Sequence, residues 1–285
     1  MDGKEEPTMS VARCADDVVT QDSREGGAWL REQAGGPLDV LVVLGSGLAD
    51  TLGRAWGEPT KTLALSDIPT VYAPVADGHA DEFRIYRDAG GTGLCVGVAL
   101  GRTHVYEGHG VDAVTALAKV AYAAGIRAAI LCNANGCLRD WELGDVVAVN
   151  DHVNLAGVSP FDGPVFVDIS GVWDSALTAE LAQVCQRQGS YGFLRGPEYQ
   201  TRLETQILAH MGIDCVGMST IMEAIMLHAL NVRVCGMSVV SDLSFADAPT
   251  DPAEVVAAAQ RAHGTVRAGI ERVLQVLAGE GSDGE

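Results

Sequence analysis

Three side chains suited to oxyanions follow one apolar run: Arg102, His104 and Tyr106, in Gly101-Arg-Thr-His-Val-Tyr-Glu. Alternate residues of an extended segment share a face. A strand (Leu94 to Leu100) ending there would present a guanidinium, an imidazole and a phenol together, which invites an anionic ligand. A second candidate is Gly45-Ser46-Gly47, after the apolar run Leu38 to Leu44. Glycines let the backbone approach an anion, and a helix start, expected here near Leu48, offers free N–H groups. Such a turn also reads as an ordinary strand-to-helix connection. A third apolar run, Val232 to Val240, ends in Ser241-Asp242. Burial favours the neutral form of a carboxyl group, so Asp242 is the first candidate for proton chemistry.

The elements that must position these groups centre on residues 190 to 223. An aromatic-rich strand stops at Gly196-Pro197, where proline fixes φ and removes an N–H donor. From Thr201 the apolar residues Leu203, Ile207, Leu208 and Met211 fall at helical spacing, and Gly212 ends the run. A short strand then closes on Met218-Ser219-Thr220, so that two strand ends face one pocket. Elsewhere the periodicity predicts an edge strand after the loop 71 to 82 and a helix over Val111 to Ala124. It then predicts a strand over Ala128 to Cys132 opening into an Asn-Ala-Asn-Gly-Cys loop, and a strand from Gly144. Helices follow over Glu223 to Leu230 and Pro252 to Leu277, the last capped by Thr250 or Asp251.

Composition narrows the class. The 285 residues are 47% apolar with 34 glycines, enough for one large α/β core with many tight turns. A net charge of −19 argues against nucleic acid or an anionic membrane as partner. Seven cysteines without a CxxC pair fit reduced thiols and no structural metal, in a cytoplasmic protein. The sequence predicts one α/β domain over residues 26–278, a central mixed, largely buried sheet flanked by helices. Polar tails are expected over 1–25 and 279–285.

Gly-Met-Ser-Thr beside Gly-Pro-Glu-Tyr-Gln-Thr, with the other pieces in matching order from about Leu41 to Gln260, resembles the purine nucleoside phosphorylase family in its trimeric branch. The resemblance implies phosphorolysis of a purine nucleoside, with inorganic phosphate as co-substrate and no cofactor. It places phosphate on Ser46, Arg102, His104, Ala134 and Ser219, with Glu107 orienting His104. It places base and sugar against Tyr106, Asn135, Gly136, Tyr199, Gln200, Met218 and Asp242. His79 falls in the family's gating loop, or is an exposed loop histidine. Phe166 matches an aromatic that covers a neighbour's ribose in a homotrimer, or is a local core residue. His109 has no counterpart and reads as a surface residue; His152 and Asn154 read as structural.

The sequence departs from the family at several points. Asn135 and Cys137 replace smaller residues and are expected to add bulk near the base. The 6-oxopurine branch carries Glu at position 200 and Asn at position 242, whereas this chain has Gln200 and Asp242. Adenine accepts at N1 and donates from its 6-amino group, the inverse of a 6-oxopurine, and a Gln/Asp pair matches that inversion. Methylthioadenosine phosphorylases also carry Asp at the matching strand end. Pro252 falls near a family histidine that binds the ribose 5′-hydroxyl, so a 5′-deoxy or 5′-alkylthio sugar is compatible. A 6-oxopurine phosphorylase, a nucleoside hydrolase and a non-catalytic nucleoside binder are the alternatives.

Overall fold

Strand β1 (Val40–Val43) is buried along its whole length, and its side chains divide between two cores. Leu41 and Val43 pack into one core, Val40 and Val42 into the other. That division is what a continuous apolar run requires, because alternate side chains leave a sheet on opposite faces and both faces must be covered. The computed structural model describes residues 18–245 and 252–282. Helices α1 (Gln21–Ala34), α2 (Val111–Ala124) and α5 (Ile221–Ala229) cover the first face. Helices α3 (Ser175–Leu181) and α6 (Pro252–Ser282) cover the second.

The remaining strands are β2 (Lys61–Leu63), β3 (Phe83–Tyr86), β4 (Val96–Ala99), β5 (Ala128–Cys137), β6 (Val146–Asn154), β7 (Arg187–Phe193), β8 (Cys215–Gly217) and β9 (Arg233–Leu243). They form one mixed sheet in the order β2-β3-β4-β1-β5-β8-β7-β6-β9. Strand β9 also pairs in parallel with β5, so β5, β8, β7, β6 and β9 close into a ring. The β5–β9 register slips between Asn135 and Gly136: Asn135 faces Val240, and Gly136 faces Asp242. A bulge of this kind re-aims side chains beyond it.

Several expectations change. Strand β3 lies between β2 and β4, so the edge belongs to β2. No helix forms at Leu48; Leu48 and Leu52 instead turn inward and plug the second core. Asn133 to Cys137 continue β5, because β9 and β8 both offer that stretch a hydrogen-bonding partner. Helix α4 (Arg202–His210) starts as expected at Thr201. Its hydroxyl accepts from Glu204 N at 3.2 Å while Glu204 Oε2 accepts from Thr201 N at 2.7 Å. Its apolar face is not buried by the chain itself: only Leu208 is covered, and Leu203, Ile207 and Met211 are exposed. The Thr250–Asp251 cap lies outside the described residues.

Helix α1 begins inside the stretch read as an N-terminal tail, and α6 runs to Ser282, into the stretch read as a C-terminal one. Thr20 caps α1 by accepting from Ser23 N at 3.2 Å, and Gly35 ends it at φ +67°. The helix docks on α2 through Gly27, where a Cβ would overlap Ala123 and stand 2.9 Å from Ala124 N. Gly27→Ala should therefore force the two helices apart and cost about 1–3 kcal/mol, read as a lowered Tm. An unchanged Tm would show that the crossing is not tight.

Candidate active site

The carboxyl ends of β1, β4 and β9 and the last turns of β5 converge on one cleft, where ligands of open α/β sheets bind. Its cationic end is built on Arg102, buried with 4% exposure just past β4. The guanidinium Nε lies 3.1 Å from Glu223 Oε2, and Nη1 donates to the Cys132 carbonyl at 2.8 Å. The third nitrogen, Nη2, is buried without a hydrogen-bond partner among the described residues. An unmade bond from a buried cation is expensive, so this donor marks a place for a ligand acceptor. Glu223 is fixed in turn by the Thr220 N–H, which donates to its Oε2 at 3.2 Å at the start of α5.

His104 stands beside Arg102 and is held by Glu107, whose Oε1 accepts from both its Nδ1 and its backbone N at 2.9 Å. Burial acts to raise the Glu107 pKa, but the hydrogen bonds from His104 outweigh it and hold the carboxylate below its ordinary range. The Tyr106 ring stacks on His104 at 4.7 Å, and burial pushes its phenol up to about 12, so it stays neutral. Ser46 and Ser219 complete this end of the cleft.

His79 reaches the same cleft from the loop between β2 and β3. Its Nδ1 accepts from the Arg102 backbone N–H at 3.0 Å, so the ring proton must sit on Nε2, which donates to Ser46 Oγ at 3.0 Å. Burial, then the charges of His104 and Arg102, push its pKa down to about 2. The loop is seated on the glycine turn by Gly47 N–H donating to the Gly78 carbonyl at 3.3 Å.

The other end of the cleft carries Gln200, Tyr199, Met218, Ala134, Asn135, Gly136 and Asp242. The bulge brings Asp242 over Gly136: a Cβ at Gly136 would lie 3.6 Å from Asp242 Oδ2 and 2.6 Å from Ser244 Oγ. Gly196, at φ +67°, turns the chain toward Tyr199, and any Cβ there would overlap Met218 Sδ. Tyr199 stands at the mouth, 60% exposed.

Thirteen of the fourteen residues read from the sequence thus line one cleft; Phe166 lies outside it, 83% exposed. Two expectations about bulk change. Cys137 points into the core, and the Asn135 amide is turned onto Ser238, so neither crowds the base end with its side chain. His109 stacks on Tyr72 at the surface, and His152 and Asn154 lie away from the cleft. Sequence reading missed Asn133, Ser241 and Val255 in the lining and Glu223 behind it. The Thr220-x-x-Glu223 spacing, a capping-box pattern, was the available signal for Glu223; nothing local marks Val255. Among the described residues no group of three or more His, Cys, Asp or Glu could hold a metal ion.

A cleft with a buried guanidinium donor at one end and a carboxylate and an amide at the other suits group transfer between an anion and a small polar heterocycle. The family described as the Phosphorylase superfamily matches residues 52–275. The purine nucleoside phosphorylase of Mycobacterium tuberculosis is 39% identical over 229 residues, covering 78% of this chain and 84% of that protein. The purine nucleoside phosphorylase of Cellulomonas sp. is 35% identical over 259 residues, covering 88% of both. Among solved structures, Schistosoma mansoni purine nucleoside phosphorylase in complex with adenosine superposes with a TM-score of 0.79 at 25% identity, covering 91% of this chain and 98% of that one. The chain belongs to the purine nucleoside phosphorylase family of the phosphorylase superfamily. It is an enzyme that cleaves purine nucleosides with phosphate.

The His79 geometry has a pH signature. The folded protein excludes a proton that the unfolded chain binds below pH 6.5, so this term favours folding most above 6.5 and weakens as pH falls toward 2. Between pH 7 and 5.5 the wild type should lose about 1 kcal/mol more stability than His79→Gln in denaturant titrations. Equal losses would show that the ring accepts its proton in the folded state.

Proposed function

We propose that the cationic end of the cleft seats phosphate, that the Gln200–Asp242 end reads the base, and that the enzyme prefers 6-aminopurine nucleosides. The observation that carries this reading is the placement of Gln200 and Asp242 in one cleft with the unpartnered Arg102 Nη2. A phosphate oxygen would attack the anomeric carbon as the C1′–N9 pair moves into the base. Arg102, His104, Ser46 and Ser219 would hold the anion against the cationic sugar, where positioning and charge both favour the transition state. Met218 and Tyr199 would pack on base and sugar. Gln200 would donate to adenine N1; Asp242 would accept from the 6-amino group or, protonated, donate to N7. The S. mansoni relative with adenosine bound is consistent with such a base in this fold.

The 5′ end of the sugar would meet Val255, an apolar lining residue in the first turn of α6. A site offering a methyl group rather than a donor there suits a 5′-deoxy or 5′-alkylthio ribose.

The assembly we infer is a homotrimer. Leu203, Ile207 and Met211 expose one face of α4, and Tyr199 and Phe166 are also exposed. Three exposed apolar side chains on one helical face mark an interaction surface. Phe166, free of its own cleft, is available to a neighbour's.

Three measurements test these readings. Arg102→Leu would strand the Glu223 carboxylate, so it is paired with Glu223→Gln; the double variant should lose about 2–4 kcal/mol of transition-state stabilisation, with a steeply raised phosphate requirement. Unaltered phosphate dependence would remove Arg102 from the seat. Gln200→Glu with Asp242→Asn should move preference from adenosine-type to inosine-type nucleosides, about ten- to a hundredfold per position. A wild type that prefers inosine, with Asp242→Asn silent, would overturn the base assignment. Sedimentation at assay concentration should find a trimer and no active monomer; a fully active monomer would leave Phe166 without a role.

A further inference from the structure

From Ser219 a chain of buried polar side chains runs along the wall of the cleft, with Asn133 and Asn135 in its lining. Asn135 Nδ2 donates to Ser238 Oγ at 2.8 Å; Ser238 Oγ donates to Asn133 Oδ1; Asn133 Nδ2 donates to Thr220 Oγ1 at 2.8 Å. Thr220 Oγ1 lies 3.2 Å from Ser219 Oγ. Exposure along the chain is 3% at Asn135, 0% at Ser238 and 2% at both Asn133 and Thr220. Asn133 and Ser238 face each other across β5 and β9, so the sheet register itself holds the middle of the chain. At its end, Thr220 sits at φ +76°, an outlying conformation for a β-branched residue that the surroundings must hold.

We infer that Asn135, Ser238, Asn133 and Thr220 are positioning residues for phosphate, acting through Ser219. A hydroxyl has one proton and two lone pairs. Thr220 Oγ1 accepts from Asn133; with its own proton on Ser219 Oγ, the Ser219 proton is not spent on Thr220 and can serve the cleft. Turning every donor round would leave Ser219 presenting only lone pairs, which repel an oxyanion. Across the seat, His79 Nε2–H donates to Ser46 Oγ, whose own proton is directed at the Asp77 carbonyl at 3.5 Å. The Ser219 hydroxyl is thereby set as an outward donor before the anion arrives, and successive bonds in such a chain polarise one another. Asn135, which the sequence placed at the base, also heads this chain.

The inference rests on the phosphate reading of the cationic end, and initial-rate kinetics with phosphate and nucleoside varied separately tests both. Thr220→Val keeps the shape and removes the hydroxyl; it should raise KM for phosphate about tenfold while KM for nucleoside stays within twofold. Thr220→Ser keeps the hydroxyl and should restore the wild-type phosphate KM. Ser238→Ala, which cuts the chain at a distance, should raise the phosphate KM in the same direction and serves if Thr220→Val does not fold. Equal phosphate KM values for Thr220→Val and Thr220→Ser, or a matching rise in nucleoside KM, would overturn the chain. Base release by the wild type that ignores phosphate would instead overturn the underlying seat.

Discussion

The pairing of Arg102 with Glu223 is the constraint on which the rest of the site depends. Both side chains are nearly inaccessible, at 2% and 5%, in an interior that penalises an unpaired charge by several kcal/mol. Neither can move without the other, and each is tied to a further element. Arg102 also donates to the Cys132 carbonyl on β5, and Glu223 accepts from the N–H at the start of α5. One ion pair thus registers the segment after β4, the middle of β5 and the beginning of α5. Ser219 and His104 inherit their places from it. The carboxylate offsets the guanidinium charge, so what Arg102 turns to the cleft in this chain of net charge −19 is a surplus donor rather than a surplus of charge.

The opposite end depends on backbone geometry. In an unbroken β5–β9 ladder, consecutive residues of β9 would alternate strictly. The slip at Asn135/Gly136 removes Ser241 from the count, lets its hydroxyl donate to the Asn135 carbonyl at 3.0 Å, and delivers Asp242 above Gly136. A side chain at Gly136 would occupy that space, so the glycine and the bulge are parts of one arrangement.

Much of this was legible in the sequence, for identifiable reasons. Apolar runs ending in Gly-Ser-Gly, in Gly-Arg-Thr-His and in Ser-Asp name the strand ends that make the cleft, because buried strands need unbroken apolar stretches and functional side chains cluster where they stop. Helix α2 was bounded by its apolar run and Gly125. What stayed hidden depends on pairing between distant segments. Nothing in Asn-Ala-Asn-Gly-Cys says that β9 and β8 will extend β5 through it, nor that Asn135 will turn to Ser238. Leu48 and Leu52 carry a helical spacing that the second core used otherwise. The apolar stripe of α4 pointed to burial, which a single chain does not provide.

The ring formed by β5, β8, β7, β6 and β9 has a consequence for solubility. A strand that pairs on both sides offers no free ladder to another molecule, and closing the ring removes the edge that β9 would otherwise present. The sheet's other margin is β2, only three residues long, beginning with the exposed Lys61 and Thr62. A short margin carrying a lysine is a poor template for strand addition. A nine-stranded sheet of strongly apolar strands is thereby left with almost nowhere to recruit a tenth.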